Sequence, residues 1–255
     1  MISPRFLFRA FKYRWRYDYQ EFKLLQKVLR PGGVAVDIGA HKGAYLYWMQ
    51  RWVGHHGKVW AFEPQQELAA YLRHMSRAWP QVRIQDEAVS AVPHGQAWLV
   101  LPSGAKSPSP SARLASPTVN GGRYVTTLSL DAWFDNHPPP QVIKCDCEGH
   151  ELEVFKGAHR LLQRVHPALL FECEARHCGT DGMAAVFDFL HQLGYHGWRV
   201  DQGGARAFRN FKPPAGGLGE GNNFWFVKPS GSNALQVPPE SCEPGRKTGN
   251  AFDKV

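Results

Sequence analysis

The sequence predicts an α/β fold in which a mostly parallel sheet carries helices on both faces. Short apolar stretches alternate with amphipathic helical patterns through most of the chain, as successive β–α units do. A strand over 34–37 precedes a helix over 43–53, a strand over 58–62 precedes a helix over 65–77, and a third strand covers 82–85. Acidic residues end or follow each of these strands, and parallel strands bring such residues together at the carboxyl edge of the sheet.

A glycine turn joins the first strand to its helix. It follows the pattern D-x-G-x-x-x-G from Asp37 to Gly43, with an acid where dinucleotide-binding turns have their first glycine. A carboxylate repels a nearby pyrophosphate, so Asp37 favours a cofactor with a cationic end and no phosphate. S-adenosylmethionine fits, and Asp37, Gly39, Ala40 and Gly43 are then predicted to bind it. The alternative is an ordinary turn in any α/β protein.

Acids after the second and third strands extend the predicted cofactor site. Glu63-Pro64 follows the second strand roughly 20 residues past the glycine turn, where a carboxylate accepts hydrogen bonds from ribose hydroxyls. Asp86 or Glu87 follows the third strand and is the predicted acceptor for the adenine amino group. A solvated turn acid is the alternative for that last position.

A second charged motif lies in the segment 142–150. A strand enters it, and alternation along an extended chain puts Lys144, Asp146 and Glu148 on one side. A charged row in a central strand is costly unless it is paired or functional, so Lys144 either pairs with an acid or belongs to a catalytic group. Asp146, Glu148 and His150 are the candidate catalytic residues, with the two acids favoured as proton acceptors. No metal site is predicted, although an Asp/Glu/His group can also hold a divalent cation.

Two segments interrupt the alternating pattern. Residues 102–123, rich in Ser, Pro and Gly, and residues 201–221, rich in Gly, are predicted as loops without regular structure. The first loop leaves from the region of the cofactor acids and is a candidate to close over a substrate. A helix over 183–193 and a final strand over 222–227 complete the predicted core.

Three regions are predicted along the chain. Residues 1–33 form a basic, aromatic N-terminal arm with a capping helix over 19–30, and residues 34–228 form the main domain. Residues 229–255 are rich in Pro, Gly and Ser and are predicted to be a disordered tail. With 255 residues and 43% hydrophobic content, the chain can form one large domain with a full core.

The N-terminal arm carries most of the charge. Up to Arg30 the chain has a net charge of +6, against +8 for the whole sequence. Aromatic residues alternate with Arg and Lys there, a pattern that can stack bases and bind phosphates or lie on an anionic membrane surface. For residues 1–18 these two interpretations and a helix packed on the domain all stay open.

Composition also bears on the compartment. The sequence has no apolar run long enough to span a bilayer and no signal peptide at its start, so a cytoplasmic protein is expected. The five cysteines form no C-x-x-C pair and are odd in number, which argues against a zinc ribbon or a disulfide framework.

Several of these motifs resemble one enzyme family. The segments 36–43, 62–64, 143–158 and 223–227 are similar in order and spacing to the FkbM-type methyltransferases, and the resemblance covers about residues 34–228. The K-x-D-x-E-G-x-E-L pattern that begins at Lys144 is its most specific part. Cysteines at positions 145 and 147 depart from the family, which usually has aliphatic residues there.

The resemblance implies a Rossmann-like class I methyltransferase with S-adenosylmethionine as its cofactor. Its sheet would have seven strands, mostly parallel, with an antiparallel last strand. Known members mostly methylate oxygen, so the predicted function is O-methylation of a hydroxyl on a sugar or another small-molecule or glycan acceptor. The alternatives are a nucleic-acid methyltransferase guided by the basic arm and a non-catalytic binding module with this fold.

Overall fold

The computed structural model describes residues 3–102, 108–207 and 222–229. Its strands are β1 (Val34–Ile38), β2 (Lys58–Phe62), β3 (Val82–Gln85), β4 (Ala88–Val89), β5 (Gln96–Val100), β6 (Arg113–Ala115), β7 (Gly122–Leu128), β8 (Val142–Cys145), β9 (Ala168–Glu172), β10 (His196–Asp201), β11 (Gly204–Ala207) and β12 (Asn223–Val227). Its helices are α1 (Pro4–Lys12), α2 (Tyr19–Val28), α3 (Ala44–Val53), α4 (Gln66–Ser76), α5 (Leu130–Phe134), α6 (Glu151–Lys156), α7 (His159–Val165) and α8 (Ala175–Gln192). A π-helical turn, Tyr13–Tyr17, joins α1 to α2.

The main sheet has the spatial order β11-β10-β12-β9-β8-β1-β2-β3. The five neighbouring strands β9, β8, β1, β2 and β3 pair in parallel. β12 is inserted antiparallel between β9 and β10, so β10 runs in the same direction as β9. This arrangement confirms the predicted fold class, a mostly parallel sheet whose last strand is antiparallel.

Within the described residues, the main sheet has eight strands rather than the predicted seven. The additional strand, β11, pairs antiparallel with β10 at the edge of the sheet. It lies in the segment 201–221 that was predicted as a loop, and Gly204, with a φ of 118°, turns the chain back after Asp201. Residues 208–221 lie outside the described part of the chain.

A second sheet corrects the prediction that 102–123 has no regular structure. It has the order β4-β7-β5-β6, and both β6 and the start of β7 fall inside that segment. Leu99 pairs with Leu114 across β5 and β6, and the rings of Trp98 and Tyr124 lie 4.8 Å apart on β5 and β7. The apolar side chains Ala88, Leu99 and Val125 form a small core between these strands, which the polar composition of the segment did not indicate.

Alternating side chains of β1 pack into two separate apolar cores, one on each face of the sheet. Ala35 packs with α3 and the N-terminal helices on one face, while Val34 and Val36 pack with α6, α7 and α8 on the other. Helices therefore cover both faces, as predicted. Within the described residues, no helix combines the length and the hydropathy that a membrane span requires.

The N-terminal arm packs against the main domain through its aromatic residues. Phe6 is buried and its ring lies 6.2 Å from that of Tyr47, and the indole of Trp48 donates a hydrogen bond to the carbonyl of Ala10 at 2.9 Å. In α2, Phe22 stacks on Tyr45 with 4.4 Å between ring centroids. Residues 4–17 are thus helical and packed on the domain. The predicted tail, residues 229–255, lies outside the described part of the chain after residue 229.

Gly39 allows two loops at the sheet edge to meet. Its φ is 71°, and a Cβ atom at this position would overlap the backbone carbonyl oxygen of Asp146. The amide of Gly39 also donates to Phe62 O at 2.9 Å, and the amide of Asp146 donates to Ile38 O at 3.1 Å. A side chain here would therefore force the loop after β8 away from the turn after β1.

We expect Gly39→Ala to lower the free energy of unfolding by about 2–5 kcal/mol, because left-handed strain and the collision with Asp146 add together. Gly32→Ala is the matched control, since Gly32 has a φ of 81° but open space around its missing Cβ. It should lose only about 1–2 kcal/mol. Urea unfolding followed by circular dichroism measures both variants, and equal losses would show that the loop contact contributes nothing.

Candidate active site

A cavity of about 430 Å³ lies at the carboxyl edge of the main sheet. Its wall takes residues from the turns after β1, β2 and β8, from the end of β9, from the segment 110–114 and from the N-terminal arm. Small-molecule sites commonly have volumes of ~300–1,000 Å³, so the cavity has the size of such a site. The sequence-predicted residues that line it are Gly39, Ala40, Glu63, Pro64, Glu87, Asp146, Glu148 and His150.

Three residues predicted to bind the cofactor do not line this cavity. Asp37 is fully buried behind its wall. Gly43 begins α3 with a φ of 77°, and a Cβ there would press on Phe6 and Leu72 in the helix layer. Asp86 instead forms an exposed ion pair with Arg73 at 3.0 Å. Of the two acids after β3, the structure therefore places Glu87 at the cavity.

Lys144 connects the acids of two strands. Its ammonium lies 3.5 Å from Asp37 Oδ1 and 3.6 Å from Asp146 Oδ2, and it donates to the carbonyl of Gly39 at 3.2 Å. Burial lowers the pKa of Lys144, but the attraction of Asp146 and Asp37 outweighs it and the net pKa is raised. Lys144 is therefore a permanent cation that pairs with two acids, one behind the cavity and one in its wall.

Lys144, Asp146 and Glu148 were predicted to form a charged row along one strand, but they do not all belong to that strand. β8 ends at Cys145, so Asp146 and Glu148 lie in the loop that follows it. Glu148 adopts a φ of 52° and Gly149 a φ of 98°, which gives the loop a left-handed bend. The bend places Glu148 in the cavity wall.

Glu63 is held by the backbone of two turns. Its Oε2 atom accepts from the amide of His41 at 2.7 Å, and its Oε1 atom accepts from the amide of Gln65 at 3.0 Å. Burial raises the pKa of Glu63. The side chain of Gln65 continues this network, since it exchanges two hydrogen bonds with the backbone of Ser109. The network joins the end of β2 to the segment that closes one side of the cavity.

Glu148 contacts a histidine from α8. Its Oε2 atom lies 2.7 Å from His177 Nε2, and both side chains are mostly buried. Burial, with the neighbouring charge of Asp146, raises the pKa of Glu148 to about 7. Burial lowers the pKa of His177, which favours a neutral ring, and the contact between His177 Nε2 and the carboxylate does not have the geometry of a hydrogen bond. A carboxyl group with a pKa near neutrality is suited to accept a proton in a reaction.

Other carboxyl groups crowd the same end of the cavity. Burial raises the pKa of Glu172, at the end of β9, to about 7, and that of Asp18, before α2, to about 6. Asp18 accepts a hydrogen bond from the hydroxyl of Tyr45 at 2.9 Å. This end of the cavity is therefore acidic and poorly solvated, which favours a ligand that carries positive charge or several hydroxyl groups.

Glu151 fixes the loop between β8 and α6. Its Oε1 atom accepts from the amides of Cys147 at 3.1 Å and Gly149 at 3.2 Å. Burial raises its pKa to about 7. His150 turns away from Glu148 and contacts Ser90 Oγ at 3.1 Å, and burial lowers its pKa.

Several cavity residues escaped the sequence analysis. Arg9, Tyr13 and Asp18 come from the arm, and they reach the cavity only because α1 packs on α3. Glu172 was detectable, because it ends a parallel strand as Glu63 follows one. His177 lies in the first turns of α8, which begins at Ala175, eight residues before the predicted helix; a kink at a glycine hid that start.

Thiols lie close to the site but form no disulfide. Cys145 Sγ and Cys147 Sγ are 3.7 Å apart, and Cys173 Sγ and Cys178 Sγ are 3.9 Å apart. Among the residues that the structure describes, no group of three His, Cys, Asp or Glu side chains is placed to hold a metal ion.

The strand order and the acid-lined cavity at the carboxyl edge define a class I methyltransferase fold. In agreement, residues 37–196 match the model of the methyltransferase FkbM domain. Because this match covers more than half of the chain, the protein belongs to the FkbM methyltransferase family, as the sequence motifs predicted.

Individual relatives are distant. The hexuronic acid methyltransferase AglP of Haloferax volcanii is 28% identical in an alignment of 190 positions that covers 70% of this chain and 72% of that protein. The crystal structure of a methyltransferase FkbM from Methylobacillus flagellatus superposes with a TM-score of 0.49 at 15% identity over 88% of this chain and 56% of that one. An S-adenosylmethionine-dependent O-methyltransferase from Thermotoga maritima gives 0.46 at 12% identity, over 83% and 64%. The chain thus spans little more than half of the first of these structures.

Glu151→Gln should change how stability depends on pH. In the folded protein the pKa of Glu151 is raised from 4.5 to about 7. Glu151 therefore contributes fully to the free energy of unfolding below a pH of about 4.5, and this contribution is lost as the pH rises through about 7. Glutamine keeps the acceptor oxygen and does not titrate. Between about pH 5 and about pH 8, the free energy of unfolding of the variant should therefore rise relative to that of the wild type by on the order of 3 kcal/mol.

Urea unfolding of both proteins at the two pH values measures this difference. Glu153→Gln is the control, because Glu153 lies two residues further along α6 and pairs with Lys156 on the surface. Parallel pH dependence of the wild type and Glu151→Gln would contradict the raised pKa.

Proposed function

We propose that the protein is an S-adenosylmethionine-dependent O-methyltransferase that acts on a hydroxyl group of a sugar acceptor. Membership of the FkbM family supports methyl transfer, and the AglP relative, a hexuronic acid methyltransferase, supports an acidic sugar. The observation that carries the choice of an oxygen acceptor is Glu148, a cavity-lining carboxyl group with a raised pKa beside His177.

The residues at the cavity fit this cofactor. Glu63 lines it at the end of β2 and has oxygen lone pairs for ribose hydroxyls beyond those that its amide partners use. Glu87 lines it after β3, and its buried Oε2 atom has no hydrogen-bond partner, so it can accept from an adenine amino group. The excess of carboxyl groups near Asp146 suits a cationic methionine end.

The cofactor, when bound, supplies a methyl group on a sulfonium for in-line transfer to a nucleophilic oxygen. The chain has to hold the acceptor oxygen in line and remove its proton. Glu148 performs the second task in this proposal: its carboxyl group lies against His177, and burial raises its pKa to about 7. Asp146 lies beside Lys144 and offers hydrogen-bond acceptors to other hydroxyls.

The guanidinium of Arg9 gives a reason to expect a carboxylate on the acceptor. Arg9 belongs to α1 and lines the cavity. Its charge is opposite to that of the acidic cluster formed by Asp146, Glu148 and Glu172. A guanidinium binds a carboxylate through two parallel hydrogen bonds, which would orient a hexuronic acid.

Calorimetric titration should show micromolar binding of S-adenosylmethionine and S-adenosylhomocysteine and no binding of NAD. Glu63→Gln should weaken both by about 10- to 100-fold, since hydrogen bonds to a charged group contribute about 1.5–3 kcal/mol. Glu67→Gln is the control, because Glu67 lies on the exposed side of α4 and pairs with Arg123. Failure of the wild type to bind either sulfur cofactor would favour a non-catalytic binding module instead.

With a glucuronic acid glycoside as acceptor, kcat/KM should fall as pH decreases through about 7, because Glu148 must be ionised to accept the proton. Glu148→Gln should lower kcat about 100-fold or more, remove this acid limb and leave S-adenosylhomocysteine binding unchanged.

The surface variant Glu153→Gln should keep both the rate and the pH profile of the wild type. Normal turnover by Glu148→Gln would remove the catalytic assignment of Glu148 and point to an acceptor oxygen that needs no base, such as the sugar carboxylate itself.

A further inference from the structure

The outer surface of the N-terminal arm exposes a concentration of aromatic side chains. Of the seven large hydrophobic residues that are exposed in the described part of the chain, five lie between positions 8 and 19: Phe8, Phe11, Trp15, Tyr17 and Tyr19. Phe8 and Trp15 are the most exposed of these, at 69% and 59%. Monomeric soluble proteins rarely expose such a group of side chains unless it binds a partner.

The spacing of these residues places them on the side of the arm away from the domain. Phe6 and Ala10 of α1 are buried against α3, whereas Phe8 and Trp15 lie on the opposite side. Phe11 lies at the border between the two sides, because its ring is 44% exposed yet also contacts Trp48 of α3 at 5.0 Å. The rings of Trp15 and Tyr19 stack at 6.1 Å and carry the stripe across the π-helical turn into α2.

The same surface is strongly cationic. Residues 1–17 contain five basic side chains and no acidic one. A groove along α1 is lined by Arg5, Arg9 and Lys12 together with Phe8 and two tyrosines, and none of the described residues that line it carries a carboxylate. Arg9 and Tyr13 line both this groove and the catalytic cavity, so the groove adjoins the site.

We infer that this surface, defined by Phe8, Phe11, Trp15, Tyr19 and the cations between them, docks the protein on an anionic membrane surface. A helix that lies in the plane of a bilayer has one packed or polar side and an outer side with Phe or Trp flanked by Arg and Lys. Tryptophan and tyrosine favour the headgroup layer, and each cation near anionic lipid strengthens binding.

The shape of the arm favours lipid over nucleic acid. Strand-binding proteins use a groove in which cations follow the backbone and aromatic rings alternate with bases. Here the most exposed rings, Phe8 and Trp15, stand on the outer side of a helix whose inner side is occupied by the domain. Such rings can insert among lipid headgroups together, which is how an amphipathic helix binds.

Vesicle flotation of the full chain tests the inference without any measurement of methyl transfer. The wild type should float with phosphatidylcholine vesicles that contain phosphatidylglycerol, float less with phosphatidylcholine alone, and dissociate as salt is raised. The double variant Phe8→Ser/Trp15→Ser should lower partitioning at least about tenfold, because two large apolar side chains no longer enter the bilayer.

Val92→Ser/Tyr124→Ser is the matched control, since among the described residues it removes the two exposed large hydrophobic side chains that lie outside the arm. It should partition as the wild type does. Both variants should keep the wild-type circular dichroism and S-adenosylhomocysteine affinity, which separates docking from folding and from the proposed function.

Three results would overturn the inference: no flotation of the wild type with anionic vesicles, equal loss in the control variant, or no loss in Phe8→Ser/Trp15→Ser. Single-stranded RNA that binds the wild type in place of vesicles, and loses affinity in the arm variant, would identify nucleic acid as the partner instead.

Discussion

The buried ammonium of Lys144 is the interaction on which the cavity depends. It contacts Asp37 at the end of β1 and Asp146 after β8, and it donates to the carbonyl of Gly39 between them. Removing one partner of a buried pair leaves an uncompensated charge that costs about 3–5 kcal/mol. The two loops therefore cannot separate without isolating a charge, and the close approach at Gly39 is maintained by electrostatics as well as by shape.

Much of the site could be predicted because topology alone brings the ends of parallel strands together. Glu63, Glu87 and Glu148 follow different strands far apart in sequence, yet all three line one cavity. The prediction placed Asp37 at the cofactor, whereas its carboxylate is buried behind the wall and pairs with Lys144. Sequence spacing indicates which residues meet at an edge, but the depth of each side chain depends on its neighbours.

What the sequence did not indicate arises from contacts between distant segments. β6 and β11 are only three and four residues long, and they are strands because β5 and β10 offer free edges for them to pair with. The arm reaches the cavity because Phe6 fills a space among aromatic side chains of α3 and α4, a fit that no local pattern encodes. His177 was missed for a related reason, since its helix forms across a kink.

The division of the cavity wall between segments has a consequence for how acceptor choice can diverge. The acids at the strand ends lie within the family-matched residues 37–196, whereas Arg9, Tyr13 and Asp18 lie before them. The arm forms none of the strands of the main sheet. Replacing or re-registering this short helix can therefore change which molecules enter the cavity while the residues proposed to bind the cofactor keep their positions, so that new acceptors become accessible through one exchangeable segment.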